Sequence, residues 1–251
     1  MAPSFNPNLS AFGVTITTLF RNPAMLMPHL VIPTFLHLPE DIGSHLLPPS
    51  SNGAKQPDIR ALVLDKDNTL TPPEELGFPA PYLEKLAALR KSPTSPFNME
   101  RNPHGVLIVS NTVGSSPKYE AEAREIERLL SDLNIPIFRS FAPREGENEN
   151  GKHAASQSNK KPLNHAAIVS YLKSKKAIES PSQIAVVGDR LATDVLMASL
   201  MGAWSVCVRD GVTMSCEGRQ GMDYRGIFAK AEGLLERTLK SRGYGPVYPK
   251  N

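Results

Sequence analysis

The chain has 251 residues, 40% hydrophobic and 21% charged, with a formal net charge of +3; this is enough for one α/β domain with extensions and a substantial buried core. So small a charge, with no dense Lys/Arg tract, excludes the electrostatic footprint of a nucleic-acid-binding protein. Two cysteines without a repeated spacing, Cys207 and Cys216, exclude a disulfide framework or a cysteine zinc site.

From Asn8 to Leu38 the chain is apolar, and Arg21 is its only Lys, Arg, Asp or Glu. Pro23, Pro28 and Pro33 interrupt it, so it lacks the roughly 18 uninterrupted apolar residues that a bilayer span needs. A helix over residues 9–20 would place Phe12, Ile16, Leu19 and Phe20 on one stripe, suited to a core, a subunit interface or a membrane surface. His29, His37 and His45 recur at even spacing, but nothing else nearby supplies metal ligands. No charged n-region precedes an apolar core, so no secretory signal is expected; the stretch is acid-poor up to Glu40, as transit peptides are, yet has a single Arg. Residues 48–57, with Ser50-Ser51-Asn52-Gly53, read as a linker. The chain therefore divides into an apolar extension and linker over 1–57, expected to meet a membrane or another subunit, and a folded domain over 58–251.

That domain opens on Ala61-Leu62-Val63-Leu64, an apolar run short enough for a buried strand. A helix over residues 81–90 follows, with Pro81 near its start. A second strand is predicted over 105–109, a helix from the spacing of Tyr119, Ile126, Leu130 and Leu133, and a third strand over 135–138. Residues 142–160, rich in Glu, Asn, Gly, Ser and Lys, have the composition of a mobile insertion. A helix over 163–173, a fourth strand over 184–187, a helix opened by Thr193-Asp194, a fifth strand over 204–208 and a helix over 227–239 complete the chain. Alternating strands and helices, with strands apolar throughout, predict a Rossmann-like parallel sheet with helices on both faces. Counted from Ala61, the strand order that brings the polar strand tips together is 5-4-1-2-3.

Those tips carry the chemistry. Asp65 and Asp67 follow the first strand; alternation puts both on one face and Lys66 on the other. Two carboxylates so close repel unless a cation or a proton relieves them. Asp65 suits a nucleophile and Asp67 an acid, although two acids after a strand also suit plain loop capping. Ser110-Asn111 ends the second strand, Lys160-Lys161-Pro162 precedes a helix, and Gly188-Asp189-Arg190 ends the fourth strand with Asp194 close behind.

Taken together, Asp65-x-Asp67-x-Thr69, Ser110, Lys161-Pro162 and Gly188-Asp189 with Asp194 resemble the four motifs of the haloacid dehalogenase-like phosphatase superfamily, over residues 59 to about 211. Leu64-Asp65-Lys66-Asp67-Asn68-Thr69-Leu70, Ser110-Asn111, Lys160-Lys161-Pro162 and Val187-Gly188-Asp189-Arg190-Leu191-Ala192-Thr193-Asp194-Val195, with Pro28-His29 and Val31-x-Pro33-x-Phe35 upstream, resemble more closely the fungal mitochondrial phosphatidylglycerophosphatases. The resemblance implies hydrolysis of phosphatidylglycerophosphate to phosphatidylglycerol, on the route to cardiolipin. It places the protein in mitochondria, peripheral on the matrix face of the inner membrane, with an anionic phospholipid substrate; homo-oligomeric assembly is expected separately, because the apolar extension must be covered by something. Asp65 is then the nucleophile that becomes an aspartyl-phosphate, and Asp67 the acid and base. Asp65, the backbone carbonyl of Asp67 and Asp189 would hold Mg²⁺; Ser110 and the backbone amides after it, from Asn111 on, would bind the phosphate, with Lys161 neutralising its charge.

Several assignments stay open on the sequence alone. Asp194 is either a residue that orients a metal ligand or a helix N-terminal acid. Arg190 meets a second phosphate or pairs with Asp194. Ser110 is also an ordinary strand-end hydroxyl, and Lys160 competes with Lys161, which stands directly before Pro as the superfamily's lysine does. Lys66 departs from the apolar residue that the superfamily more often has there. Between Asp65 and Ser110 there is room for one helix and loops, so no large cap domain is expected. Two other functions remain: the same chemistry on a soluble phosphomonoester, and a non-catalytic membrane or oligomer scaffold.

Overall fold

The computed structural model describes residues 9–48, 55–141, 160–212 and 226–250. The five described strands are β1 (Leu30–Ile32), β2 (Ala61–Leu64), β3 (Val106–Ile108), β4 (Ile184–Gly188) and β5 (Trp204–Val208). The α-helices are α1 (Leu9–Arg21), α2 (Gly43–Leu46), α3 (Ala80–Lys91), α4 (Glu120–Leu129), α5 (His165–Ser174), α6 (Leu196–Met201) and α7 (Gly226–Ser241). All strand pairs are parallel, in the order β1-β5-β4-β2-β3.

The order expected for the strands from Ala61 onward holds, and two details differ. The third expected strand, over 135–138, is a single parallel bridge from Ile137 to Ile108. Pro136 has no N–H for a ladder, and only its carbonyl takes part, accepting from Ile108 N at 3.0 Å. At the opposite edge, Leu30, Val31 and Ile32 pair with Val206, Cys207 and Val208. This stretch lies in what the sequence assigns to the extension, so residues 30–46 belong to the sheet and its core: Ile32, Phe35, Leu38, Ile42 and Leu46 are all buried. The expected insertion over 142–160 lies, apart from residue 160, outside the described residues.

Strand alternation sorts the core into two layers. On one face Leu62, Leu64, Val106, Ile108, Val187 and Val206 pack with Phe35, Tyr82, Leu86 and Ile126, from the β1–α2 segment, α3 and α4. On the other, Ala61, Val63, Leu107, Ile184 and Val186 pack with Ile168, Leu172, Met197 and Met201 of α5 and α6. Helices on both faces leave the strand ends as the place where polar side chains converge.

Arg90, near the end of α3, is fully buried, and its guanidinium donates to the carbonyls of Leu133, Phe97, Asn102, Pro103 and Asn134. It ties the loop before β3 to the turn that follows α4. Burial pulls its pKa down to about 10. The three evenly spaced histidines separate in space: the His29 ring contacts Ser205 and Val247, His37 contacts Thr34, and His45 contacts Ser44 and Asp41. Among the described residues no helix is long and apolar enough to cross a membrane.

Candidate active site

The backbone of Asp65 continues the sheet, donating its N–H to Val187 O at 2.8 Å. Pairing stops there because the chain curls: Leu70 and Thr71 return their N–H groups to Lys66 O at 2.9 and 3.1 Å, and Asn68 takes a left-handed φ of 60°. Asn tolerates that conformation better than most residues. The curl aims Asp65 at the centre of the sheet edge and Asp67 at its rim.

Lys161 enters from the loop before α5, through a cis peptide to Pro162. Its backbone N–H donates to Asn111 Oδ1 at 2.7 Å. Its ammonium, almost wholly buried, donates to Asp65 Oδ1 and to Asp194 Oδ1, the latter at 2.6 Å. The structure thus separates the two candidate lysines: Lys161 is the one in the cluster. Asp194 sits in a π-turn, Leu191–Val195, that leads into α6. Its second oxygen accepts from Arg190 N and Thr193 Oγ1, both at 3.2 Å.

Asp65, Asp189 and Asp194 each offer an oxygen within 4.8 Å of the others. Asp189 Oδ2 is buried and has no hydrogen-bond partner among the described residues. Burial, reinforced by the carboxylates of Asp194 and Asp67 and opposed by Lys161, pushes the Asp65 carboxyl up to about 7. Burial also drives Asp189 well above the carboxylate range, with Asp65 and Asp194 adding to the shift. The pKa of Lys161 also rises, for a different reason: burial disfavours its ammonium, but Asp194 and Asp65 more than offset that. An all-oxygen cluster that strongly prefers a positive partner, and holds a buried carboxylate oxygen with nothing to bind, fits a hard divalent cation.

Close approach matters at Gly188. A Cβ there would lie 2.3 Å from Asp194 Cγ, so only glycine lets the end of β4 pass behind that carboxylate.

On the rim, Ser110 Oγ accepts from Thr112 N at 3.1 Å and lies 2.9 Å from Thr112 Oγ1. Thr112 Oγ1 in turn donates to Asp67 Oδ2 at 3.3 Å. The structure therefore brings Asp65, Asp67, Ser110, Lys161, Asp189 and Asp194 to one sheet edge. The Asn111 side chain holds the Lys161 loop, a contact that does not involve its backbone amide, the group expected to meet phosphate. The Arg190 side chain turns to Glu232 of α7 at 3.4 Å rather than pairing with Asp194.

Lys66 also departs from expectation. Its ammonium does not point to the face opposite the aspartates but donates to Asp67 Oδ1 at 2.6 Å. The alternation rule fails because sheet pairing ends at Asp65 and the chain curls from Lys66 on. Sequence reasoning also missed Thr112, Glu232 and the contact of Thr69 Oγ1 with Asp65 Oδ2 at 3.3 Å. Only Thr69 carried a signal, as part of the Asp65-x-Asp67-x-Thr69 motif.

Residues 9–213 match the family described as Mitochondrial PGP phosphatase. The chain is 36% identical over 210 residues to "Phosphatidylglycerophosphatase GEP4, mitochondrial" of Saccharomyces cerevisiae, covering 83% of this chain and 90% of the yeast protein. It is 32% identical over 204 residues to "Probable phosphatidylglycerophosphatase, mitochondrial" of Schizosaccharomyces pombe, covering 81% and 82%. It is 26% identical over 204 residues to "Phosphatidylglycerophosphate phosphatase 1, chloroplastic" of Chlamydomonas reinhardtii, covering 81% and 60%. The chain belongs to the mitochondrial PGP phosphatase family.

Proposed function

We propose that this chain hydrolyses phosphatidylglycerophosphate to phosphatidylglycerol and phosphate in mitochondria, by Mg²⁺-dependent transfer of the phosphoryl group to Asp65, in the synthesis of cardiolipin. The substrate and compartment follow the names of its fungal relatives. The observation that supports the chemistry most is Asp65 itself, a carboxylate at the tip of β2 bound to Lys161 and facing Asp189.

Asp65 Oδ2 attacks phosphorus while the bond to the glycerol oxygen breaks, and Asp67 gives that oxygen its proton. Lys161 releases part of its hold on Asp65 and balances the charge on the phosphoryl oxygens, which Ser110 also binds. Water then attacks the phosphorus of the aspartyl-phosphate; its proton passes to Asp67, and the P–O bond to Asp65 breaks. Both carboxyl groups return to their starting states.

Asp65, Asp189 and the backbone carbonyl of Asp67 would hold Mg²⁺. Asp194, whose oxygens are already bound to Lys161, Thr193 and the Arg190 amide, orients Lys161 from outside the ion's shell. When bound, Mg²⁺ supplies positive charge against the repulsion between Asp65 and the anionic phosphate.

We assign membrane contact, on the matrix face of the inner membrane, to α1. Its Phe20 is 84% exposed, which also supports contact with further copies of the chain.

Phosphate release from phosphatidylglycerophosphate in detergent micelles, with Mg²⁺ or EDTA, tests the reading. Release that needs Mg²⁺ and vanishes in Asp65→Asn is expected. Asp65-dependent release from a small aryl phosphate, with none from the lipid, would keep a phosphatase and remove the lipid assignment.

A further inference from the structure

We propose that Lys66 is a positioning residue for the acid–base carboxylate of Asp67 and, through it, fits this site to phosphate esters of alkyl alcohols. The inference rests on the reading of Asp65 as nucleophile and Asp67 as acid and base.

Lys66 is 1% exposed. Burying a lysine so fully is unfavourable, through lost hydration, unless its ammonium is paired. Its described salt-bridge partner is Asp67, with Nζ 2.6 Å from Oδ1. The backbone that carries it is fixed as well, because the Lys66 carbonyl accepts from Thr69, Leu70 and Thr71 at 3.3, 2.9 and 3.1 Å and so lies at the root of the curl. The other oxygen of Asp67 accepts from Thr112 Oγ1 at 3.3 Å, and Thr112 is joined to Ser110 on the phosphate-binding loop. Asp67 is therefore held from below by a buried cation and from the side by a hydroxyl, while its side chain stays 27% exposed toward the rim. An acid loses most of its effect when it can swing away from the atom that receives its proton.

The consequence is selective. An alkoxide is a poor leaving group and needs its proton as the P–O bond breaks; a nitrophenolate leaves without one. In both cases Asp65 forms the new bond to phosphorus. In the alkyl case the proton of Asp67 ends on the alcohol, and in the aryl case it stays on Asp67. Loosening Asp67 should therefore slow phosphoryl transfer from a glycerol ester and spare transfer from an aryl ester.

Lys66→Met keeps the unbranched stem and removes the ammonium, leaving Asp67 partly hydrated. Steady-state release from phosphatidylglycerophosphate is compared with the pre-steady-state burst of nitrophenolate from p-nitrophenyl phosphate, in the same micelles. The burst reports only the first step. Lipid turnover is expected to fall at least about tenfold more than the burst rate, a part of the roughly 10²–10⁴-fold that general acid catalysis typically contributes. Asp67→Asn should show the same skew. Equal losses on both substrates would make Lys66 merely structural, and unchanged rates on both would make it irrelevant; either result overturns the inference. If Lys66→Met does not fold, Thr112→Val frees Asp67 from the other side and must show the skew. Asp65→Asn, expected to abolish the burst, separates the two claims: a burst that survives it refutes the reading of Asp65 rather than the role of Lys66.

Discussion

Lys161 bridges Asp65 and Asp194, two carboxylates brought in by different strands, and lies 2.6 Å from the second. One buried ammonium thus offsets part of the negative charge gathered at the end of β2 and β4. Removing it as Lys161→Met should lower kcat about 10²–10³-fold, the usual effect of losing a charge-stabilising donor. It should also cost roughly 3–5 kcal/mol of stability, because the carboxylates are left buried and unpaired. The sign with pH is fixed. Without Lys161 the folded-state pKa of Asp65 rises further above its unfolded value, so the variant is least destabilised at low pH and loses stability as pH rises through 7. Thermal unfolding at pH 6 and pH 8 reads the difference.

Gly188→Ala tests the close passage of β4 behind Asp194. The new Cβ would stand 2.3 Å from Asp194 Cγ, and Asp194 is held too firmly to yield without losing Lys161. Stability should fall by about 1–3 kcal/mol, as for other overpacked sites. Turnover should fall about tenfold or more. Retained activity with an unshifted melting curve would mean that Asp194 can move freely.

Cation binding should be coupled to protons. Asp65 is pushed up to about 7 and Asp189 well above the carboxylate range, chiefly by burial. Mg²⁺ must displace the protons these groups hold near neutral pH. Its affinity should weaken as pH falls from 8 to 6, by up to about tenfold per unit for each proton released. Calorimetry in two buffers of different ionisation enthalpy gives the proton count; a pH-independent affinity would refute the coupling.

Arg90→Met addresses the scaffold rather than the site. Five backbone carbonyls lose a shared donor, and unsatisfied buried acceptors cost about 1–3 kcal/mol each before the loop relaxes. Destabilisation of at least about 3 kcal/mol is expected, with kcat of the folded fraction nearly unchanged. Denaturant unfolding alongside active-site-normalised kinetics separates the two.

Much of the site was legible because it is built from local patterns. Apolar runs marked β2, β3, β4 and β5, and the polar residues just after them had to meet at one edge. What escaped depends on distant partners or on the exact end of a strand. Leu30–Ile32 is too short and too proline-flanked to signal a strand; pairing with Val206–Val208 makes it one. The apolar pattern of 135–138 predicts a full strand, but the missing N–H of Pro136 limits it to a single bridge. Alternation puts Lys66 on the wrong face because the ladder stops at Asp65, just before it. Glu232 had no local mark at all: it caps Leu191 N at 2.8 Å from the far end of the chain, a contact that only packing of α7 creates.

The most direct measurement is to mix the enzyme with phosphatidylglycerophosphate micelles and Mg²⁺, quench in acid within milliseconds, and locate phosphate on the digested peptides. Phosphate on the peptide containing Asp65, forming and decaying at rates that match turnover and absent from Asp65→Asn, is the predicted result. Lipid turnover with no phosphate on Asp65, or with phosphate on another residue, would contradict the account.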